Sequence, residues 1–223
     1  MFWQLLLAHF LADYPLQPRW LLAAKQRLWG LLLHVTIHFL TALLLVGDVR
    51  WKLLLPLLGL AMVHFVIDLT KYRLAVIRPA WVRLPYLIDQ LLHVVTILGA
   101  AGWIAATLAP AGVPAPEPWM IYLLGYLLAT HVWFVTERML TWADKPYQQI
   151  LDSSLWPRML SRAVMLTALF LLGIGPQTTA LSAGAWLPYR RENRGARALL
   201  TDLAVAAAVA VLVKWAARAA LGG

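Results

Sequence analysis

WGLLLHVTIHFLTALLLVG, residues 29–47, holds no Asp, Glu, Lys or Arg over its nineteen positions, yet it carries two histidines four residues apart. Its length matches the roughly 20 residues that a helix needs to cross a bilayer. Ionisable side chains in such a run are costly unless partners inside a bundle receive them. Working outward, further apolar runs lie at about 52–70, 86–108 and 119–137, with an Ala/Val-rich run at 198–213. The N-terminal run, 2–14, is shorter and is broken by Pro15. It lacks a basic start and a small-residue cleavage site, so a retained first helix is expected and not a removed signal peptide.

These runs predict an all-α polytopic membrane protein, a bundle of about six to seven membrane helices. Hydrophobic residues make up 62% of the chain and charged residues 13%, with a mean hydropathy of +0.72. A soluble domain carries about a quarter charged residues, so lipid must solvate much of this surface. The 223 residues read as a single membrane domain, with a four-helix ligand-bearing half at 1–108 and supporting helices over 119–223. The net charge of +9 comes from basic residues in the short connections, which suits a topology signal and an anionic lipid surface rather than nucleic acid. There are no cysteines, which excludes disulfides and thiolate metal ligands.

Orientation follows from those basic connections. Residues 18–28 carry Arg19, Lys25 and Arg27, and suit an interfacial helix. Residues 71–85 carry Lys71, Arg73, Arg78 and Arg83, and the polar stretch 138–162 is also basic. All three are expected on the cytoplasmic side, with Pro-rich 109–118 and the N-terminus outside. After 163–174, Gly175-Pro176 interrupts the apolar run. A re-entrant or short helical hairpin near 163–188 is therefore expected, returning Arg190, Arg191, Arg194 and Arg197 to the cytoplasm.

Five of the six histidines fall in the first four apolar segments, and each has a partner four residues away. The pairs are His9 with Asp13, His34 with His38, His64 with Asp68, and Asp89 with His93. Residues at i and i+4 share a helix face, about 6 Å apart along the axis. In the orientation above, Asp13, His34, Asp68 and Asp89 share one depth, and His9, His38, His64 and His93 lie one turn deeper. One such pair is ordinary core packing; four pairs at one depth favour a metal centre. Imidazole with carboxylate suits zinc foremost, with iron or manganese as alternatives. Eight candidate ligands exceed the four of a tetrahedral site, leaving room for a second ion, orienting partners or a general base. A hydrogen-bonded network that only holds helices together is the competing reading.

Other residues carry less. Gln17 continues the first series beyond Pro15 and reads as a supporting or interfacial group. Gln90 is expected on a different face from Asp89. Lys71 and Arg73 are placed to meet an anionic head group, with topology-setting as the plainer role for Lys71. His131 has no ligand partner one turn away and reads as packing. Trp residues flank the spans as interfacial anchors.

The segments HFLADYPLQ (9–17), LLHVTIH (32–38), HFVIDLTK (64–71) and DQLLH (89–93) resemble an uncharacterised bacterial integral-membrane family catalogued as domain of unknown function 3307. The resemblance is strongest over about residues 4–100 and implies a bacterial origin and a recurrent polar pattern. A more distant analogy is to YdjM-type membrane metal-dependent hydrolases.

Three functions fit these residues. The first is a metal-dependent hydrolase of the bacterial cytoplasmic membrane, acting on a lipid or amphipathic substrate with one or two divalent ions; Asp13, Asp68 and Asp89 are the candidate catalytic groups. A di-metal oxidase would use the same ligands. The second is a metal- or proton-coupled transporter, which needs a path to both sides, although residues 39–47, 53–62 and 97–108 contain no ionisable group. The third is a structural subunit with a buried polar network. Membrane lipids are the expected partners.

Overall fold

The computed structural model describes residues 1–78, 80–81, 83–108, 115–173, 175, 177 and 195–221. Among these there is no strand, and six helical segments are long and apolar enough to cross a membrane. The chain is an all-α polytopic membrane protein. It divides into two compact units, Met1–Met120 and Ile121–Gly223.

The first unit contains α1 (Phe2–Asp13), the short α2 (Arg19–Ala24), α3 (Leu28–Leu45), a 3-10 segment (Gly47–Leu53), α4 (Leu54–Ile77) and α5 (Arg83–Leu108). At 1.5 Å per residue, α1 spans only about 18 Å, and it is buried at every position from Gln4 to Phe10. The longer helices each bury one stripe. On α4 the stripe is Leu57, Ala61, His64 and Asp68; on α5 it is Asp89, His93, Ile97, Ala101, Ile104 and Leu108. Spacings of three and four put each set on one face. The opposite faces present Leu55, Leu58, Met62 and Val66, and Leu91, Leu92, Val95 and Leu98. Large exposed apolar faces of this kind are what lipid covers. The polar residues therefore lie in the same stripe as the core.

Helix α1 packs on α3 and α5, and α4 on α3 and α5, which closes a four-helix ring. Its register can be read from the side chains. His34 reaches Asp68 while His38 meets His64, so residue numbers rise on α3 as they fall on α4. Asp13 reaches His34 while His9 meets His38, which makes α1 and α3 antiparallel as well.

The second unit contains α6 (Pro118–Leu127, from Ile121), a π-helical turn (Leu128–Val132), α7 (Trp133–Leu140), α8 (Lys145–Ser153), α9 (Leu155–Leu172) and α10 (Gly195–Leu221). Helices α6 and α10 approach closely at Gly125, where an added Cβ would sit 2.5 Å from Val213 Cγ2.

Three boundaries differ from expectation. Helix α4 continues past residue 70 to Ile77, so Lys71 is a helical residue and not part of a loop. The polar stretch 138–162 is mostly helix, and α9 begins at Leu155. Its 18 residues are enough to cross a membrane alone, so the first arm of the expected hairpin is a full-length segment. That helix stops at Gly173, whose φ of +70° favours glycine. The expected return arm and Arg190, Arg191 and Arg194 lie outside the described residues.

Candidate metal centre

All eight candidate ligands project into the four-helix ring. The four deeper imidazoles form a closed ring of their own. Centroid separations are 5.2 Å for His9–His38, 3.8 Å for His38–His64, 4.3 Å for His64–His93 and 4.8 Å for His93–His9. One turn away lies the layer of Asp13, His34, Asp68 and Asp89.

The tightest contact links the two layers. Asp13 Oδ1 is 3.0 Å from His38 Nε2 and 3.1 Å from His34 Nε2, and those two nitrogens are 3.1 Å apart. At most two edges of this triangle can be hydrogen bonds, because each Nε2 carries no more than one proton. The third edge sets two nitrogens, or a lone pair and an oxygen, against each other. A cation at the triangle's centre removes the conflict. In a tetrahedral zinc site with bonds of 2.0–2.1 Å, neighbouring ligand atoms lie roughly 3.3–3.4 Å apart, close to what is seen. Asp13, His34, His38 and His64 place ligand atoms within 4.8 Å of one another, as do His64, Asp68 and His93. Both groups could hold a metal ion, and they share His64.

The sequence marked these residues but not their counter-ions. Lys25, placed by the sequence on an interfacial helix, is buried, and its Nζ lies 2.8 Å from Asp68 Oδ2. Lys71 Nζ lies 3.2 Å from Asp68 Oδ1 and 2.8 Å from Asp89 Oδ2. The ammonium expected to meet a head group is thus engaged by two aspartates, while Arg73 is exposed. Three carboxylates therefore face two ammonium groups, and Asp13 is the one without a lysine. Lys25 gave little signal in the sequence, since it is followed by Gln26 and Arg27 in a basic segment.

Two glutamines complete the layer. Gln17 Nε2 donates to the Asp13 carbonyl at 2.8 Å, and Gln17 Oε1 accepts from Lys25 Nζ at 2.8 Å. Gln90, expected to point elsewhere, folds back: its Nε2 donates to Asp89 Oδ2 at 3.1 Å and its Oε1 accepts from the Tyr14 hydroxyl at 3.4 Å.

The site opens at one end. Lys71 is 27% exposed and Asp13 12%, against 2% for Asp68, Asp89 and His93. On the far side of the imidazole ring is a cavity of about 30 Å³ lined mostly by Leu5, Ala8, Phe39, Ala42, Leu57 and Ile97, room for a water or two. Beyond it Thr41 and Thr107 give their hydroxyl protons to their own helices' carbonyls, and so does Thr96.

A second buried polar cluster, in the other unit, was not singled out from the sequence. Arg158 donates to both oxygens of Asp202 at 2.7 and 3.0 Å and to Glu137 Oε1 at 3.0 Å. Arg162 Nη1 lies 3.2 Å from Asp202 Oδ1, and its Nη2 reaches the Thr130 carbonyl in the π turn at 3.4 Å. The Tyr147 hydroxyl donates to Glu137 Oε1 at 2.5 Å. Burial, and then the Glu137 acceptor, push that phenol up to about 12. The signal was present: Arg158 and Arg162 are four apart on one apolar helix, and Asp202 is a lone acid in an Ala/Val-rich one. His131 belongs to this unit and meets Thr130 Oγ1 at 3.0 Å, away from the first cluster's ligands in sequence and unit.

Residues 1–111 match the model of a family described as protein of unknown function (DUF3307). This half of the chain belongs to that family. Comparison with curated proteins and with solved structures finds no match. The DUF3307 segment covers α1 to α5, so every member of the His/Asp/Lys cluster lies within it.

Proposed function

We propose that the chain is a metal-dependent hydrolase of the bacterial cytoplasmic membrane, with one divalent ion, zinc foremost, held by Asp13, His34, His38 and His64. The observation that carries the metal is the Asp13–His34–His38 triangle, whose three edges of 3.0–3.1 Å cannot all be hydrogen bonds. Zinc bound there would act as a Lewis acid and activate water. Asp68 is clamped by two ammonium groups, which makes it a poor proton acceptor. Asp89 Oδ1 accepts no hydrogen bond among the described residues and has only His93 Nδ1 near it, at 3.7 Å, whereas each Asp68 oxygen has an ammonium within 3.2 Å, so Asp89 is the better candidate for general base. A water attacking an ester or phosphoester would pass its proton to that oxygen, and Asp89 would hand the same proton to the leaving oxygen as its bond breaks.

The substrate reading rests on where the site opens. The open end carries Lys71 and, beyond it, the exposed Arg73, Arg78 and Arg83. Basic residues there suit the cytoplasmic leaflet and an anionic lipid or amphipathic head group. Lys71 reaches its aspartates from the edge of the site and can turn toward a bound anion. Among the described residues the opposite side offers self-satisfied hydroxyls and the Gln4 carboxamide but no ionisable side chain in 39–47, 53–62 or 97–108, which disfavours an ion path across the bundle.

The test has two steps. Elemental analysis of the purified full chain should find one zinc per chain, and Asp13→Asn should remove it. The zinc-loaded chain in vesicles of bacterial lipid should then release a water-soluble head group, and the Asp89→Asn variant should not. A metal-free chain would defeat the metal assignment; a zinc-loaded chain inert toward a broad lipid panel would defeat the hydrolase.

A further inference from the structure

The two groups able to hold a metal are not equivalent, and the difference lies in Lys25. In the Asp13 group no lysine is present. In the His64–Asp68–His93 group, Lys25 Nζ lies 2.8 Å from Asp68 Oδ2. That is the oxygen that faces the imidazoles, 3.5 Å from His34 Nε2 and 3.8 Å from His64 Nε2. Both ring nitrogens of His93 are buried without a hydrogen-bond partner among the described residues, so its imidazole has an electron pair left for a cation. The Lys25 ammonium is paired with the carboxylate by charge, and a divalent ion brought to the same oxygen would meet that positive charge.

The placement of Lys25 is built, not incidental. Helix α2 ends against α3, where an added Cβ on Gly30 would sit 2.2 Å from the Ala24 carbonyl oxygen. That approach carries the next residue, Lys25, inward, and the Gln17 carboxamide at 2.8 Å aims its ammonium at Asp68. Gln17 is itself fixed to the backbone of Asp13 at 2.8 Å. One small assembly thus joins the first metal group to the lysine that occupies the second.

We infer that His64, Asp68 and His93 form a latent second divalent-cation site that Lys25 holds shut, so that the chain binds one ion and not two. The inference rests on the metal reading above and adds to it the stoichiometry and the residue that sets it. With Lys25 in place, a second divalent ion would meet an ammonium at its carboxylate ligand. With an uncharged side chain there, Asp68 Oδ2 becomes available together with His93, and the shared His64 would pass to the second ion while a water takes its place on the first.

The experiment is a zinc titration of the purified full chain in detergent, read by calorimetry and by elemental analysis after desalting. The wild-type chain should bind one zinc, Lys25→Met two, and Lys25→Arg one. One zinc in both the wild-type chain and Lys25→Met overturns the inference and leaves the metal reading intact. Two in the wild-type chain overturns it as well, because Lys25 then blocks nothing. None in the wild-type chain defeats the metal reading itself, and the inference with it. Should Lys25→Met fail to fold, Lys25→Gln serves in its place. It should bind two zinc ions, and one there overturns the inference.

Discussion

The two buried polar clusters of this protein are built from the same kinds of charge and reach opposite states. In the Ile121–Gly223 unit, two guanidinium groups face two carboxylates, and Arg158 is bidentate to Asp202. Planar forks match carboxylates well, and the network is balanced in charge. In the Met1–Met120 unit, three carboxylates face two ammonium groups, and five imidazoles crowd around them with several ring nitrogens unserved. A buried balanced network fixes how helices meet. A buried unbalanced one has capacity left for a cation. On the proposed metal reading, the comparison separates assembly from function within one chain.

The largest expected effect falls on the balanced cluster. Asp202→Ala leaves two guanidinium groups buried without their shared partner, and such a change costs about 3–5 kcal/mol. Thermal unfolding in detergent should show the loss, while zinc bound per folded chain stays the same. A fall in zinc binding would break the division of labour between the clusters.

Next comes Asp13→Asn. Losing a direct ligand should weaken zinc by more than the roughly 100-fold that loss of a supporting partner can cause. Calorimetry measures it, and unchanged affinity would move the site elsewhere. The same titration should weaken as pH falls, because imidazole binds metal only when neutral.

Tyr147→Phe removes one hydrogen bond to a carboxylate, worth roughly 1.5–3 kcal/mol. Its pH dependence has a definite sign. A phenol raised to about 12 in the fold, against about 10 unfolded, contributes fully below about pH 10 and loses that contribution as pH rises toward 12. The wild-type chain should therefore lose its advantage over Tyr147→Phe across that window.

The smallest effect is expected of Gly30→Ala. Its new methyl would press on the Ala24 backbone, and overpacking of this kind costs about 1–3 kcal/mol. The displaced end of α2 should loosen Lys25, so second-site zinc binding should rise in the same direction as for Lys25→Met, but less.

By itself the sequence determined the membrane class, because apolar runs of about 20 residues have no other stable solvent. It also marked the candidate ligand set. An i,i+4 pair fixes a shared face whatever the helix packs against, so the eight His and Asp residues could be read before any fold was known. What it could not determine was charge compensation. Lys25 read as part of an interfacial helix, Lys71 as a head-group or topology-setting cation, and Arg158 and Arg162 only as part of a basic stretch. Whether a long flexible cation reaches water or turns inward depends on which carboxylate the neighbouring helix brings within about 3 Å, and that is a property of packing. Gln90 was misplaced for the same reason, since a side chain with three rotatable bonds is not bound to the direction of its Cα–Cβ bond. Helix periodicity fixes where short, stiff ligands point; only the tertiary structure decides where the long cations end, and with them how much charge the site has left for a metal.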